Sequence, residues 1–163
     1  MTETDFFPTD RPLDCLVESS DPRAASARIV RAVRPAGLEV VLAGLPAPHA
    51  AWAKDRGFAA SRGELLLLPG ENGTESALLG LGEETGPFAY GGLAAGLGGG
   101  KGEARIWRLA LPDDEDADTA LLGFCLGAYR FNAFRAAKTV PALLVAPDPA
   151  GKGREIARAT WLA

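Results

Sequence analysis

The chain has 163 residues, of which 47% are hydrophobic and 23% charged, and its formal net charge is −4. A chain of this length buries roughly 68–70% of its unfolded surface, so it folds as one domain without a disulfide or structural metal. The acidic balance and singly scattered arginines exclude a basic face able to neutralise a run of phosphates, so nucleic acid is not an expected partner. Cys15 and Cys125 read as two buried thiols in a reducing compartment. No basic segment precedes a long apolar one, and no apolar run approaches about 18 residues. Neither a secretory leader nor a membrane span is expected, and the expected location is cytoplasmic.

After a polar leader, residues 1–12, the run LDCLV (13–17) reads as a first strand. SARIVRAV (26–33) alternates in part and reads as a second or edge strand. Pro35 suits the first turn of a helix through GLEVVLAGL, ended near Gly44 and Pro46. APHAAWAKDRGF (47–58) predicts a short helix interrupted by Gly57, with Trp52 packed on the domain. GELLLLP (63–69) is the clearest buried strand, stopped by Pro69 and Gly70, and ESALLGLG (75–82) follows as its neighbour across a turn at 71–73.

PFAYGGLAAGL (87–97) predicts a glycine- and alanine-rich helix, GGGKG (98–102) a flexible connection, and EARIWRLALP (103–112) another strand. The acidic DDEDAD (113–118) opens a long helix, with Asp113 as its cap and the remaining carboxylates on a solvated edge beside the positive end of the dipole. That helix, DADTALLGFCLGAYRFNAF (116–134), is apolar over most of its circumference, where a surface helix needs one stripe. Leu122, Leu126 and Tyr129 are expected to form the inward stripe, with Phe124, Phe131 and Phe134 as packing or interface residues. VPALLVAP (140–147) is a last buried strand, and GKGREIARATWLA (151–163) a final helix without a closing cap, which reads as a helix cut short. Strands and helices alternate, which implies an α/β fold with helices on both sheet faces.

GLGEETG (80–86) follows a strand and precedes a helix, as a phosphate loop would. The dinucleotide fingerprint needs glycine at its first, third and sixth positions; here Thr85 takes the sixth, and Glu83 and Glu84 oppose a pyrophosphate. In GLGGGKG (96–102), Ala95 stands where a P-loop counted back from Lys101 needs glycine, and Gly102 where it needs Ser or Thr. Gly80, Gly82, Gly86, Gly98, Gly99 and Gly100 therefore make only a candidate loop site, weighed against tight turns without a ligand. The acidic run lacks the central glycine of a calcium loop. His49 is the sole histidine, with neither a zinc set nor a nucleophile turn to serve. No catalytic or metal-ligating residues are assigned.

Trp52, Gly57 and Phe58, then GELLLLPG (63–70), ALLGLG (77–82), PFAYGGLAAGLG (87–98) and LLGFCLGAYRFNAFR (121–135) together resemble the amino-terminal domain of the leucyl aminopeptidase family. The G-x-Y-x-F phrase at Gly127, Tyr129 and Phe131 is the most specific piece. The resemblance implies a three-layer α/β/α sandwich with a mixed sheet, similar to ADP-ribose-binding macro domains. It also implies a parent enzyme that removes amino-terminal residues from peptides with two divalent ions, zinc or manganese, in a separate carboxy-terminal domain. The family's metal-holding N-T-D-A-E-G-R segment has no counterpart here, so no cofactor is expected in this chain itself. The expected organisation is a macro-like domain over 13–150 and a linker helix over 151–163 leading toward a catalytic domain. The expected partners are that domain and the other subunits of a homohexamer. The alternative is a macro-like module that binds ADP-ribose or another nucleotide through loops 80–87 and 98–102.

Overall fold

Among the described residues six strands lie in one sheet: β1 (Leu16–Val17), β2 (Arg28–Val33), β3 (Leu65–Gly70), β4 (Gly73–Gly80), β5 (Arg105–Ala110) and β6 (Ala142–Val145). Their order is β1-β6-β5-β2-β4-β3, in a computed structural model that describes residues 13–98, 104–129, 142–146 and 151–162. All neighbours are parallel except β3, which pairs antiparallel with β4 across a two-residue turn. The sheet is therefore mixed, as expected. The helices are α1 (Leu38–Ala43), α2 (Ala47–Asp55), α3 (Leu93–Leu97), α4 (Ala117–Ala128) and α5 (Lys152–Leu162).

Alternation along the strands sends two sets of side chains to opposite faces. Val30, Ala32, Ala77, Leu79, Trp107 and Leu144 pack under α3, α4 and α5 in the larger core. Val33, Leu68 and Leu78 pack under α1 and α2 with Leu42, Ala53 and Phe58. A small third cluster of Val17 and Val145 is covered by Ala24 from the 3-10 turn Pro22–Ser26. Helices thus cover both faces of the sheet.

Several elements differ from expectation. β2 is central, between β5 and β4, because parallel pairing on both sides gives its half-polar sequence two neighbours. The apolar run of β3 is an edge strand in which only Leu68 is fully buried, and the ladder shifts at Pro69. A proline cannot donate to a ladder and belongs on an edge, so Pro69 outweighs the leucines. Residues 87–97 form a 3-10 turn, Pro87–Tyr90, and then the short α3, parted at Gly91 and Gly92. Pro35 likewise opens a 3-10 turn, Pro35–Gly37, ahead of α1. The cap of α4 is Asp116 instead of Asp113: its carboxylate accepts from the Thr119 amide at 2.9 Å and the Thr119 hydroxyl at 2.7 Å.

α4 answers why a helix should be apolar almost all round. Its buried residues are Ala120, Leu121, Gly123, Phe124 and Cys125, whereas Leu126 is 38% and Tyr129 44% exposed. The inward stripe is therefore Leu121–Phe124–Cys125; of the expected stripe, Leu122 is partly buried against the larger core, and Leu126 and Tyr129 turn away from it. Both stripes satisfy the same three- and four-residue spacing, so periodicity could not choose between them. Small residues decide it. A Cβ at Gly123 would overlap the Pro87 carbonyl, and one at Gly127 the Gly91 carbonyl, so the 3-10 turn lies directly on the backbone of α4. On another side, Gly153 meets the Asp118 carbonyl, and Ala157 of α5 is fully buried in the larger core. Phe131 and Phe134 lie outside the described residues.

These burials rank the aromatic and leucine positions of α4. Phe124→Ala is expected to cost about 3–5 kcal/mol in urea unfolding, as a cavity in a fixed core does. Leu126→Ala, with much of its surface already in water, should cost on the order of 1 kcal/mol or less. Equal losses at the two positions would contradict the assigned orientation of the helix.

Candidate functional site

After β2 the chain pairs β4 on one side, then crosses to place β5 on the other. In open α/β sheets the crevice at such a reversal, beyond the carboxyl ends of the strands, is where ligands bind. Here four segments converge on it. Arg34 follows β2, Gly82 follows β4, Asp114 and Glu115 follow β5, and Tyr90 enters from the 3-10 turn.

These groups are bonded to one another. The Arg34 guanidinium pairs with Glu115, lies 3.3 Å from an Asp114 oxygen, and donates to the Gly82 carbonyl at 3.2 Å. The Tyr90 hydroxyl donates to the other Glu115 oxygen at 2.7 Å. The Glu115 side chain is only 6% exposed and that of Arg34 17%, so this pair is sheltered from solvent screening. Part of the acidic run is thus internal, correcting the expected solvated edge. Burial, then the hydrogen bond to Glu115, pushes the Tyr90 phenol well above its ordinary range. A phenol held neutral and already donating is a poor general acid or base near neutrality. Chemically, the arrangement is a latch joining three strand ends to the turn that packs on α4. Val33, Val40, Val41, Leu111 and Pro112, together with Arg31, Arg34 and Asp114, line a cavity of about 540 Å³ there.

The candidate glycine loop is a packed turn. A Cβ at Gly80 would overlap the backbone of Ala60 and Ser61, and Gly82 adopts φ +66 against Arg62. Arg62 in turn pairs with Glu84 across the loop. Gly86 leads into the 3-10 turn and Gly98 ends α3, while Gly99 and Gly100 lie outside the described residues. His49 is buried, with Nε2 2.9 Å from the Pro69 carbonyl and 3.6 Å from Glu75; as a donor to that carbonyl it ties α2 to the edge strand. Cys15 and Cys125 are both buried, as expected, and their sulfurs lie 3.8 Å apart. The contact with Cys125 and burial both raise the Cys15 pKa, leaving an unreactive thiol. Among the described residues no group of three His, Cys, Asp or Glu side chains is placed to hold a metal ion. Nor is any described helix long and apolar enough to cross a membrane.

The chain belongs to the M17 aminopeptidase family, matching the model of its N-terminal domain over residues 29–147. Over 91% of its length it resembles the cytosol aminopeptidase from Coxiella burnetii, with 25% identity and a TM-score of 0.66, and it covers 31% of that chain. The bottromycin maturation enzyme BotP shares 24% identity at a TM-score of 0.50, over 83% of this chain and 30% of that one. A mutant tomato leucine aminopeptidase is 17% identical at a TM-score of 0.48, over 82% of this chain and 32% of its own. The chain thus spans about a third of the length of these structures. No curated protein matches it in sequence.

Arg34 and Tyr90 were missed as a site because no motif joins them to Glu115. The one local signal is an arginine directly after the apolar end of β2, where a charge needs a partner. The latch also has a pH signature. An unfolded tyrosine ionises near pH ~10, whereas Tyr90 stays protonated beyond it, so the folded state holds one more proton there. Stability from this group is intact below about pH 10 and falls as pH rises above it. Urea unfolding between about pH 9 and 11 should show that fall, and Tyr90→Phe should remove about 1.4 kcal/mol of it across that range, its slope approaching one proton only near pH ~11. Identical slopes in the two proteins would contradict the assignment.

Proposed function

We propose that this chain is the non-catalytic, structural domain of a leucyl-aminopeptidase-like metallopeptidase that removes amino-terminal residues from peptides. One observation carries the reading. The groups at the sheet's carboxyl end that might bind or transform a ligand, Arg34, Tyr90 and Glu115, are spent on one another. In this proposal residues 13–150 form the domain, and α5, seated on α4 at its start, leads toward a carboxy-terminal domain holding two divalent ions, zinc or manganese. Peptide substrate, homohexameric assembly and a cytoplasmic location belong to that whole enzyme. Among the described residues no cluster of side chains fits a two-metal centre.

The nucleotide alternative, including ADP-ribose, gains no support from the loop that was to carry it. Glu83 and Glu84 remain on that loop, and Arg62 is already paired with Glu84.

Assay of the 163-residue chain on leucine p-nitroanilide with added zinc, manganese or magnesium should show no turnover above background. Metal-dependent hydrolysis that follows the protein through purification and is lost on substitution of Asp114 or Glu115 would overturn the non-catalytic reading.

A further inference from the structure

The arginines that look scattered in the sequence are gathered by the fold at the amino ends of β2 and β5. Arg23 comes from the 3-10 turn, Arg28 begins β2 and Arg105 begins β5. With Ser26, Ile106 and Leu143 they line a cleft of about 710 Å³. The strand length of β2, roughly 16–20 Å, separates this cleft from the latch at the other end of the sheet.

Three cations line the cleft and, among the described residues, no carboxylate does. Arg23 is held from the side by Asp21, with its Nη2 2.7 Å from a carboxylate oxygen. Neither Arg28 nor Arg105 has an ion-pair partner among the described residues. Arg28 is half-buried, with its guanidinium carbon 5.8 Å from the centroid of the buried Trp107 ring. Its Nη1 is buried and has no hydrogen-bond partner among the described residues. A sheltered guanidinium without a counter-charge is costly unless something supplies one. The contrast with Arg34, whose donors are met by two carboxylates and a carbonyl, is internal to the same sheet.

We propose that this cleft is a binding site for a small organic anion. Its phosphate or carboxylate group would be held by Arg28 and Arg105, and its body would rest in the remainder of the cleft. Guanidinium forks match the planar oxygens of either group, and the volume is that of an ordinary small-molecule site. The site binds and does not catalyse, since arginine stays protonated and gives no proton. It does not depend on the proposed aminopeptidase role.

Calorimetry on the 163-residue chain, in phosphate-free buffer of low ionic strength, tests it with phenyl phosphate, benzoate and inorganic phosphate as separate probes. Phenyl phosphate or benzoate should bind one-to-one, more tightly than inorganic phosphate and less tightly as salt is raised. The stronger of the two identifies the preferred anionic group. Arg28→Met and Arg105→Ala should each weaken binding about tenfold or more, roughly one charge-assisted contact. Arg23→Ala, which removes an already paired cation, should change it much less. Arg105→Ala keeps the test decisive if Arg28→Met fails to fold. No saturable heat with any probe up to about 10 mM would overturn the proposal. So would binding that both variants leave unchanged.

Discussion

Everything above the larger face of the sheet depends on one steric condition: α4 must have no side chain where the 3-10 turn crosses it. Gly123 and Gly127, one helical turn apart, let the carbonyls of Pro87 and Gly91 approach its backbone. That approach sets Tyr90 in the core beside Gly123, with its hydroxyl on Glu115. Glu115 holds Arg34, and Arg34 holds the carbonyl of Gly82. A packing constraint on one helix is thereby passed, by contact and hydrogen bond, to the ends of three strands. Another side of α4 is similarly close to α5 through Gly153, while Leu126 remains partly in water.

The two ends of the sheet are consequently unlike. At the carboxyl end, where a ligand crevice is expected from topology, charge meets charge inside the protein. That mutual pairing is what supports the proposed structural role, since fold alone does not separate it from a binding module. At the amino end three arginines line a cleft, and the buried Nη1 of Arg28 has no hydrogen-bond partner among the described residues. Any interaction with small charged ligands is more to be sought there than in the glycine loop that sequence motifs bring to mind.

How much of this was legible in the residues varied with the kind of signal. Alternating and continuous apolar runs marked the strands, and the family phrases around LGAYRF and GELLLLPG pointed to the fold. Placement within the sheet was less legible: four consecutive leucines read the same in a central strand and at an edge, and only Pro69 discriminated. On α4, two stripes satisfied one periodicity, and the choice lay with Gly123 and Gly127, whose role depends on a segment more than thirty residues earlier. Long-range pairs were invisible for the same reason. Arg34 and Glu115 are 81 residues apart, and Arg28 and Arg105 line one cleft because parallel pairing sets β2 beside β5. No local pattern encodes such meetings.

The sign of one substitution tests the packing account most directly. In an exposed helix interior, glycine to alanine raises stability by about 1 kcal/mol, because alanine is the better helix former. If α4 is clamped against the turn, Gly123→Ala must push Pro87 and Tyr90 aside, and the gain is reversed. Urea unfolding of Gly123→Ala should show a loss of about 1–3 kcal/mol or more, as overpacking does. A Gly123→Ala protein more stable than the parent chain would contradict the close approach on which the latch and the core depend.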